Sequence, residues 1–478
     1  MRRQQIRMRA WVALITVAMS GSGVFAQQKT VEQRLQELEQ EIQILKQQQA
    51  VARETAVPAT TPKSADATIV KAGAEGFIIQ SADANFKLRV GGYAQADGRF
   101  YLNDRPVRGS SGNGTDTFLL RRVRPILEGT VFRDFDYRFV TDFGNGAAQT
   151  TLLQDAYVEW KYLSWLKIRG GKFKPEVGLE QLQQDTWLFF AERGLPADLL
   201  PQRDVGFQIS GDLFDGVVHY AGGVYNGVMD GTLADTATYD SKTAVARLFV
   251  QPFKKTDWNA LKGLGVGVAG TIGDQHWTTT TTNLASYKST GQIPIYTYGA
   301  RGAAPDGQEI RGTPQAYYYW GPVGLLTEYV FAQQELSNGA LRDNVRNSAW
   351  QVEGSFVLTG EKATYNGVTP NHPFDLKKSG WGALELVGRY GDLRFDPSAF
   401  STTPLAAGLR FADPTRSVQE AREWGIGLNW YLNRNVKLVL NYEQTAFDGG
   451  AGPPPVTAYT IHNRATEQLL LTRAQIMF

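Results

Sequence analysis

The chain has 478 residues, no cysteine, four histidines that stand singly and 50 glycines. The absence of cysteine excludes disulfides, thiolate metal sites and cysteine nucleophiles. Of its 49 basic residues, four lie in residues 1–26, which leaves 45 against 47 acidic residues in the rest of the chain. The charge balance therefore gives no support for a nucleic-acid partner.

The first 26 residues predict a secretory signal peptide. Four arginines precede an apolar run at residues 10–19, and Val24, Phe25 and Ala26 provide a small-residue cleavage site. No other run reaches the roughly 18 apolar residues that a membrane-spanning helix needs. We expect the segment to be removed after Ala26.

Residues 27–50 predict a short coiled-coil helix. The apolar seam has 4-3-4-3 spacing and consists of Val31, Leu35, Leu38, Ile42 and Leu45. The alternative is a single amphipathic helix lying on the protein, but so narrow a seam buries little area against a globular surface. Three heptads are marginal alone, so we expect another oligomeric contact. Residues 51–85 contain many Ala, Thr, Pro and Lys residues and predict a flexible linker.

Residues 86–100 alternate between apolar and polar side chains almost without a break, and residues 118–131 repeat the pattern. A period of two is typical of a strand, and these strands are long. A two-layer sandwich with one wet face is compatible with these two strands alone. A membrane barrel, with lipid outside and a wet lumen inside, is the competing interpretation.

The rest of the chain favours the barrel, because about sixteen strand-like segments follow one another as far as Phe478. Tight turns such as residues 132–136 and 433–435 alternate with long polar loops at 273–315 and 396–419. Short turns on one side and long loops on the other are the outer-membrane pattern. The predicted fold is all-β: a sixteen-stranded antiparallel transmembrane β-barrel over residues 86–478, with outer-membrane lipid around it and the short coiled-coil helix at its N-terminal end.

Several longer motifs resemble the phosphate-selective porin O and P family. They are residues 118–125 (Phe-Leu-Leu-Arg-Arg-Val-Arg-Pro), 127–139, 153–160, 171–180 (Gly-Lys-Phe-Lys-Pro-Glu-Val-Gly-Leu-Glu), 192–196, 201–206, 427–433, 441–442 and 473–475. The resemblance implies a sixteen-stranded barrel, a homotrimer in the bacterial outer membrane, and passive uptake of small anions such as inorganic phosphate or polyphosphate.

An anion pore needs fixed positive charge along its wall, and arginine suits phosphate because its planar fork binds two oxygens. Strand parity places these cations on the lumen side: Lys87, Arg89, Arg99, Arg122, Arg124, Arg247, Arg389, Lys437 and Arg473. Arg121 has lipid-face parity unless a bulge redirects it. The resemblance implies that Arg121 and Arg122 lie at the narrowest point of the pore.

The segment 174–203 is too long for a hairpin and too apolar for an exposed loop. The resemblance implies that it folds into the barrel and narrows the lumen; a surface lid or a trimer contact is the alternative. Asp155, Lys172 and Lys174 flank it and resemble family positions near the constriction, where an acid tempers the positive field.

Other functions remain open from the sequence. The arginines can instead pair with luminal acids such as Asp97, Glu128 and Glu423, as in an unselective general porin. The barrel can also serve as an anchor for a periplasmic coiled coil. A barrel enzyme finds little support, because the chain contains neither a G-x-S-x-G motif nor closely spaced histidines. We expect no catalytic residues, metal or cofactor.

Overall fold

The structure is a computed structural model. It describes residues 36, 40, 42, 43 and 46, and then 68–103, 114–144, 152–237, 240–276, 284–298, 303–400, 411–452 and 462–478. The chain divides into two compact units, Met1–Ser64 and Ala65–Phe478. The described residues of the first unit are helical and exposed, whereas the predicted signal peptide and most of the heptad seam lie outside the described residues.

Within the described ranges, almost all of the regular secondary structure of the second unit is antiparallel strand. In chain order these are β1 (Ile69–Gly73), β2 (Gly76–Gln80), β3 (Lys87–Tyr101), β4 (Thr117–Val131), β5 (Phe135–Asp142), β6 (Leu152–Leu163), β7 (Leu166–Phe173), β8 (Asp204–Leu213), β9 (Val218–Tyr225), β10 (Thr243–Val250), β11 (Leu264–Gln275), β12 (Ser286–Lys288), β13 (Pro294–Thr297), β14 (Ala303–Trp320), β15 (Val323–Asn338), β16 (Leu341–Val357), β17 (Ala383–Arg394), β18 (Val418–Tyr431), β19 (Val436–Gly449) and β20 (Glu467–Met477).

Sixteen of these strands, β3 to β11 and β14 to β20, form the barrel wall. Each pairs with its neighbour in sequence, and the sheet closes where β20 pairs with β3, from Tyr93 opposite Met477 to Tyr101 opposite Leu469. The predicted all-β barrel of sixteen antiparallel strands is confirmed. Among the described residues, no helix is long and apolar enough to cross a membrane.

The alternating pattern of the sequence explains the two faces of the wall. On β18, Trp424, Ile426 and Leu428 point outward and remain exposed, whereas Glu423 and Asn429 point inward and are buried. In a membrane, lipid covers the outward apolar side chains, and the inward polar side chains form hydrogen bonds and ion pairs in the lumen. A one-residue slip would reverse both faces, so the register is strongly specified.

A hairpin of β1 and β2 precedes the barrel, so the prediction of a flexible linker over residues 51–85 is wrong for this part. Strand β2 pairs with the first residues of β3, from Phe77 opposite Val90 to Gln80 opposite Lys87. It therefore continues the line of β20 along β3. The turn needs Gly76, whose φ is +88° and whose added Cβ would lie 2.4 Å from the Val90 carbonyl oxygen. Five-residue strands give too short an alternation to be recognised.

Two long connections fold into the lumen. Residues 174–203, which contain the short helix α1 (Leu179–Leu182) and a 3₁₀ helix (Leu195–Leu199), form one of them, here called the inserted loop. A further 3₁₀ helix spans Pro397–Ala399. The second connection carries the β12–β13 hairpin, which packs on the inserted loop.

The description of residues 273–315 as one long polar loop is therefore wrong in part. Strand β11 continues to Gln275 and β14 begins at Ala303. Between them, Tyr287, Ile295 and Tyr296 are almost fully buried in one apolar cluster with residues of the 3₁₀ helix of the inserted loop. The hairpin fills part of the lumen because these apolar side chains have no lipid to face.

Candidate functional site

The inserted loop lies across the lumen, and polar side chains of the wall hold its backbone. Asn441 Oδ1 accepts a hydrogen bond from the Ala191 amide at 2.9 Å, and Asn429 Nδ2 donates one to the Phe189 carbonyl at 2.9 Å. On the loop itself, Leu188 is fully buried. A loop that satisfies its backbone on the wall and buries apolar side chains keeps a fixed position.

Four arginines of the wall surround one carboxylate of this loop. The arginine cluster consists of Arg99 on β3, Arg121 and Arg122 on β4, and Arg473 on β20. Glu192 accepts from Arg121 Nε at 2.6 Å and from Arg99 Nη2 at 2.9 Å, while Arg473 Nη2 lies 3.2 Å away. Arg473 also binds Asp97 through two hydrogen bonds of 2.7 Å. Burial alone would raise the pKa of Glu192, but the surrounding guanidiniums outweigh it and hold that pKa well below its usual value.

A β-bulge explains how Arg121 reaches this cluster. Gln95 pairs with Arg122 and the next residue, Ala96, pairs with Leu120, so that Arg121 is the extra residue on β4. The bulge redirects its side chain, and the guanidinium binds Glu192 with both Nε and Nη2. Two consecutive arginines can thereby point to the same side of the wall.

A second carboxylate of the loop, Asp185, lies beside the cluster. Its Oδ2 accepts from Arg124 Nη1 at 2.5 Å and lies 3.6 Å from Arg122 Nε, and its Oδ1 accepts from Arg193 Nη1 at 2.6 Å. Arg124 also donates to Asp142 at 2.7 Å. Burial opposes ionisation of Asp185, yet these cations hold its pKa well below the usual range.

The part of the wall from β15 to β19 carries mostly acids among its buried charged residues. The acidic wall consists of Glu328 on β15, Glu353 on β16, Glu385 on β17, Glu423 on β18 and Glu443 on β19, all nearly fully buried. Arg389 lies among them and donates to Glu353 at 2.7 Å. Glu328 accepts the Leu179 amide at 2.8 Å and Glu423 accepts the Leu195 amide at 3.3 Å. The inserted loop thus offers Glu192 and Asp185 to the arginines, and the amides of Leu179 and Leu195 to the acidic wall.

Two adjoining cavities remain open between the inserted loop and strands β3 to β7. The vestibule has a volume of about 580 Å³ and reaches the end of the barrel that bears the short turns, where it is lined by Lys87, Arg89, Lys161 and Arg434. The inner chamber has a volume of about 290 Å³. Arg138, Tyr157, Gln184 and Trp187 line both cavities and form what we call the neck.

Cations outnumber acids around the inner chamber. The cations are Arg124, Arg138, Arg169, Lys174 and Arg203, and the acids are Asp155, Glu176 and Asp185. The pairs hold each other closely: Arg203 Nε lies 2.8 Å from Asp155 Oδ1, and Arg138 Nε lies 3.5 Å from Asp155 Oδ2. Five cations and three carboxylates thus face a confined space, where the effective dielectric is well below that of water. From outside this lining, Asp142, Glu128 and Glu159 pair with Arg124, Arg138 and Arg169.

Comparison with known proteins identifies the family of this barrel. The family model for phosphate-selective porin O and P matches residues 88–478. The chain belongs to the phosphate-selective porin O and P family. Porin O of Pseudomonas aeruginosa is 24% identical over 429 residues, which cover 84% of this chain and 91% of that protein. The outer-membrane channel DcaP of Acinetobacter baumannii has a similar fold, with a TM-score of 0.52 at 12% identity over 84% of this chain and 99% of that one.

Family membership and the closed barrel make this protein a porin of the bacterial outer membrane. Outer-membrane barrels have their short turns on the periplasmic side. The vestibule therefore opens toward the periplasm, and the inner chamber lies deeper in the lumen.

The candidate residues identified from the sequence of this porin fall into three groups. Arg124, Lys174 and Asp155 line the inner chamber. Arg121, Arg122 and Arg473 meet in the arginine cluster and hold the inserted loop. Arg247, Arg389 and Lys172 are brought to neither place.

These last three residues have other partners. Arg247 donates to Glu176 at 3.3 Å and lines a separate cavity of about 730 Å³. Arg389 lies in the acidic wall, and Lys172 forms an ion pair with Asp235. Lys174 donates to the Gln181 carbonyl at 2.6 Å.

Burial and the nearby charge of Arg193 hold the pKa of Lys174 well below its usual value. Lys174 is for this reason a weaker source of positive charge than the arginines.

Sequence reasoning missed most of the chamber. Arg138 and Arg169 alternate with outward Phe139 and Ile168, so strand parity could have identified them. Arg203 lies at the end of the inserted loop, and its pairing with Asp155 has no signal in sequence spacing. The two acids that organise the arginines are also on the loop, where no periodicity shows their direction.

Proposed function

We propose that this porin provides a passive route for small anions, inorganic phosphate among them, through the vestibule, the neck and the inner chamber. The excess of cations among the side chains that line the inner chamber is the observation that carries the proposal. An anion that enters a narrow chamber loses part of its hydration shell, and fixed arginines compensate for that loss. The paired acids keep binding weak enough for release.

The arginine cluster contributes in a different way. Together with Arg124 and Arg193 it contains six arginines, which have four carboxylate partners in Asp97, Asp142, Asp185 and Glu192. This leaves an excess of two positive charges next to the chamber. The cluster thereby fixes the inserted loop and adds to the positive field, although its members are buried.

Reversal potentials in planar bilayers test the proposal. We expect the wild-type protein to prefer chloride over potassium in a KCl gradient and Arg138→Gln to reduce this preference, because Arg138 lines both cavities. Arg133→Gln is the matched control, since Arg133 is exposed in the turn after β4, where salt screens its charge within roughly 10 Å at 0.1 M. Equal small shifts for both variants would contradict the proposed route.

Phosphate needs its own measurement. We expect phosphate added to a chloride solution to reduce the chloride current and to reach saturation, as a weak binding site requires. If the chloride current changed linearly with phosphate concentration and did not saturate, the anion route would stand, but a binding site for phosphate would be contradicted.

An unselective general porin is the second candidate function. It is favoured by the fact that cations of the chamber already have carboxylate partners, such as Arg203 with Asp155 and Arg169 with Glu159. The two functions differ in reversal potential, because an unselective pore gives a value near zero in a KCl gradient.

We also propose that the protein is a homotrimer in which residues 27–50 form a bundle of helices. The heptad seam supports this, as does the family resemblance. Because the β1–β2 hairpin pairs with β3, the informative deletion is residues 27–64, which leaves the hairpin in place. We expect that deletion to retain a conducting trimer on native gels, with the barrel wall supplying most of the contact area. A monomer would show that the helix drives assembly.

A further inference from the structure

The inner chamber is lined by aromatic side chains as well as by cations. Tyr93, Tyr157, Phe173, Trp187 and Tyr365 all contribute to its wall. Arg169 lies over the rings of Tyr157 and Phe173, with its Cζ 4.4 Å and 5.1 Å from the ring centroids. An inorganic anion needs hydrogen-bond donors, and the faces of aromatic rings, which carry partial negative charge, offer it little.

The aromatic side chains also occur where every anion on this route must pass. Of the four neck residues, Tyr157 comes from β6 of the wall and Trp187 from the inserted loop. Arg138, on β5, lies beside these two aromatic residues, and both aromatic residues are half-buried. Trp187 also lines a third cavity of about 680 Å³ on the same side, so its indole stands at the junction of three spaces.

The Trp187 indole has a defined environment. Its Cδ1 faces Gly367 of the turn between β16 and β17, where a positive φ of +82° and the lack of a Cβ permit a close approach. The Gln183 side chain donates to the Tyr365 carbonyl of the same connection at 2.6 Å. These contacts hold the inserted loop against the connection between β16 and β17, and an ordered ring is the kind that can contribute to binding without a large loss of side-chain entropy.

We propose that this porin binds and conducts small planar aromatic carboxylates at the neck and inner chamber, in preference to saturated carboxylates of the same charge and size. The inference rests on the proposed anion route and names a substrate class for it. The carboxylate pairs with Arg138 or Arg203, and the ring packs against Trp187 and Tyr157.

The size and charge of the chamber fit such a ligand. Its volume of about 290 Å³ is near the lower end of ligand pockets, which run from about 300 to 1,000 Å³, and accommodates one ring. Asp155 already occupies part of the hydrogen-bonding capacity of Arg203 and Arg138. The chamber therefore has room for a monoanion with one carboxylate, and aromatic contact supplies the rest of the affinity.

The test compares two carboxylates that differ in aromaticity. The full-length protein is placed in planar bilayers in KCl, and potassium benzoate or potassium cyclohexanecarboxylate is added in steps. We expect the half-blocking concentration of benzoate to be about two- to tenfold lower, the range that corresponds to one favourable aromatic contact. Equal half-blocking concentrations would overturn the inference.

The result separates this inference from the proposed function. If the protein prefers anions in the KCl gradient but both carboxylates block equally, the preference for aromatic carboxylates is refuted and the anion route stands. Absence of anion preference refutes the anion route, and the inference falls with it. Since this comparison uses the wild-type protein, it does not depend on the folding of a variant.

Variants then locate the contact. Trp187→Leu and Tyr157→Leu should each bring the ratio of the two half-blocking concentrations toward one. Trp165→Leu is the matched control, because Trp165 is half-exposed in the turn between β6 and β7 and lines neither cavity. The ratio is measured within each variant, so a general change in conductance cancels. An unchanged ratio in both neck variants would overturn the assignment to the neck.

Discussion

The inserted loop should detach from the wall when Glu192 loses its charge. In Glu192→Gln the side chain keeps its size, but four guanidiniums lose the carboxylate that they share. Removing one partner of a buried ion pair costs about 3–5 kcal/mol, because the remaining charges stay desolvated. Four separate hydrogen bonds would suggest more, but they share one group and do not add. We therefore expect a loss of about 3–5 kcal/mol in the free energy of loop docking.

The pH dependence of the same group gives an independent check. Because the guanidiniums depress the pKa of Glu192 in the folded protein, its contribution to stability is complete above the ordinary value of about 4.3. The contribution is lost as pH falls from there toward the folded pKa. The wild-type barrel should thus lose stability below about pH 4, and Glu192→Gln should show a smaller loss over that range.

Urea titration in detergent micelles, followed by tryptophan fluorescence, measures the loss in the free energy of loop docking, since Trp187 lies on the loop. Asp215→Asn is the matched control: Asp215 pairs with Lys255, and both side chains are more than half exposed, so the change should cost little. If Glu192→Gln were no more destabilising than Asp215→Asn, apolar packing and not the arginine cluster would hold the loop.

Three further expectations follow from the wall and its insertions. Glu443→Gln should raise the melting temperature at pH 8 by roughly 2 °C, because it removes one carboxylate from a crowded acidic wall; a lower value would contradict this. Gly171→Ala should reduce the yield of folded barrel by costing roughly 2 kcal/mol or more, since φ is +132° and the new Cβ would lie 2.2 Å from the Ala156 carbonyl oxygen. Gly73→Ala, with open space around it, is its control and should fold normally on heat-modifiability gels. Replacing residues 284–298 by a short glycine linker should increase single-channel conductance, because the β12–β13 hairpin fills part of the lumen, and an unchanged conductance would place the narrowest point elsewhere.

The strands of this barrel were predictable because lipid imposes a strict rule on each of them. On β18, for example, every outward residue from Trp424 to Leu428 is apolar, and β18 pairs with β17 without a shift in register. The short β1–β2 hairpin lacks such a constraint and escaped recognition. The β12–β13 hairpin also escaped, although Ile293, Ile295 and Tyr296 carry an apolar signal. Its apolar side chains face the loop and wall inside the barrel, so they do not follow the lipid pattern.

The candidate site was less predictable than the fold. Strand parity correctly gives Arg122, Arg124 and Arg473 an inward direction, yet it cannot distinguish a cation that faces a cavity from one that holds a loop. That distinction depends on where Glu192 and Asp185 lie, and both belong to a segment without periodicity. Pairings between residues about 70 to 280 positions apart in the chain decide the outcome.

Some arginines face a cavity and others hold the inserted loop, and this difference affects how a charge reversal at Arg122 should be interpreted. Arg122 is only 4% exposed and lies between Asp185 and Glu192, so an acid at this position faces two carboxylates in a desolvated space. Repulsion of this kind is relieved most easily by movement of the loop, which widens the lumen. A loss of selectivity in such a variant would therefore reflect loop release as much as loss of a pore charge. Arg138 avoids this ambiguity, because its partners Glu128 and Asp155 belong to the wall and the cavities lie beside it.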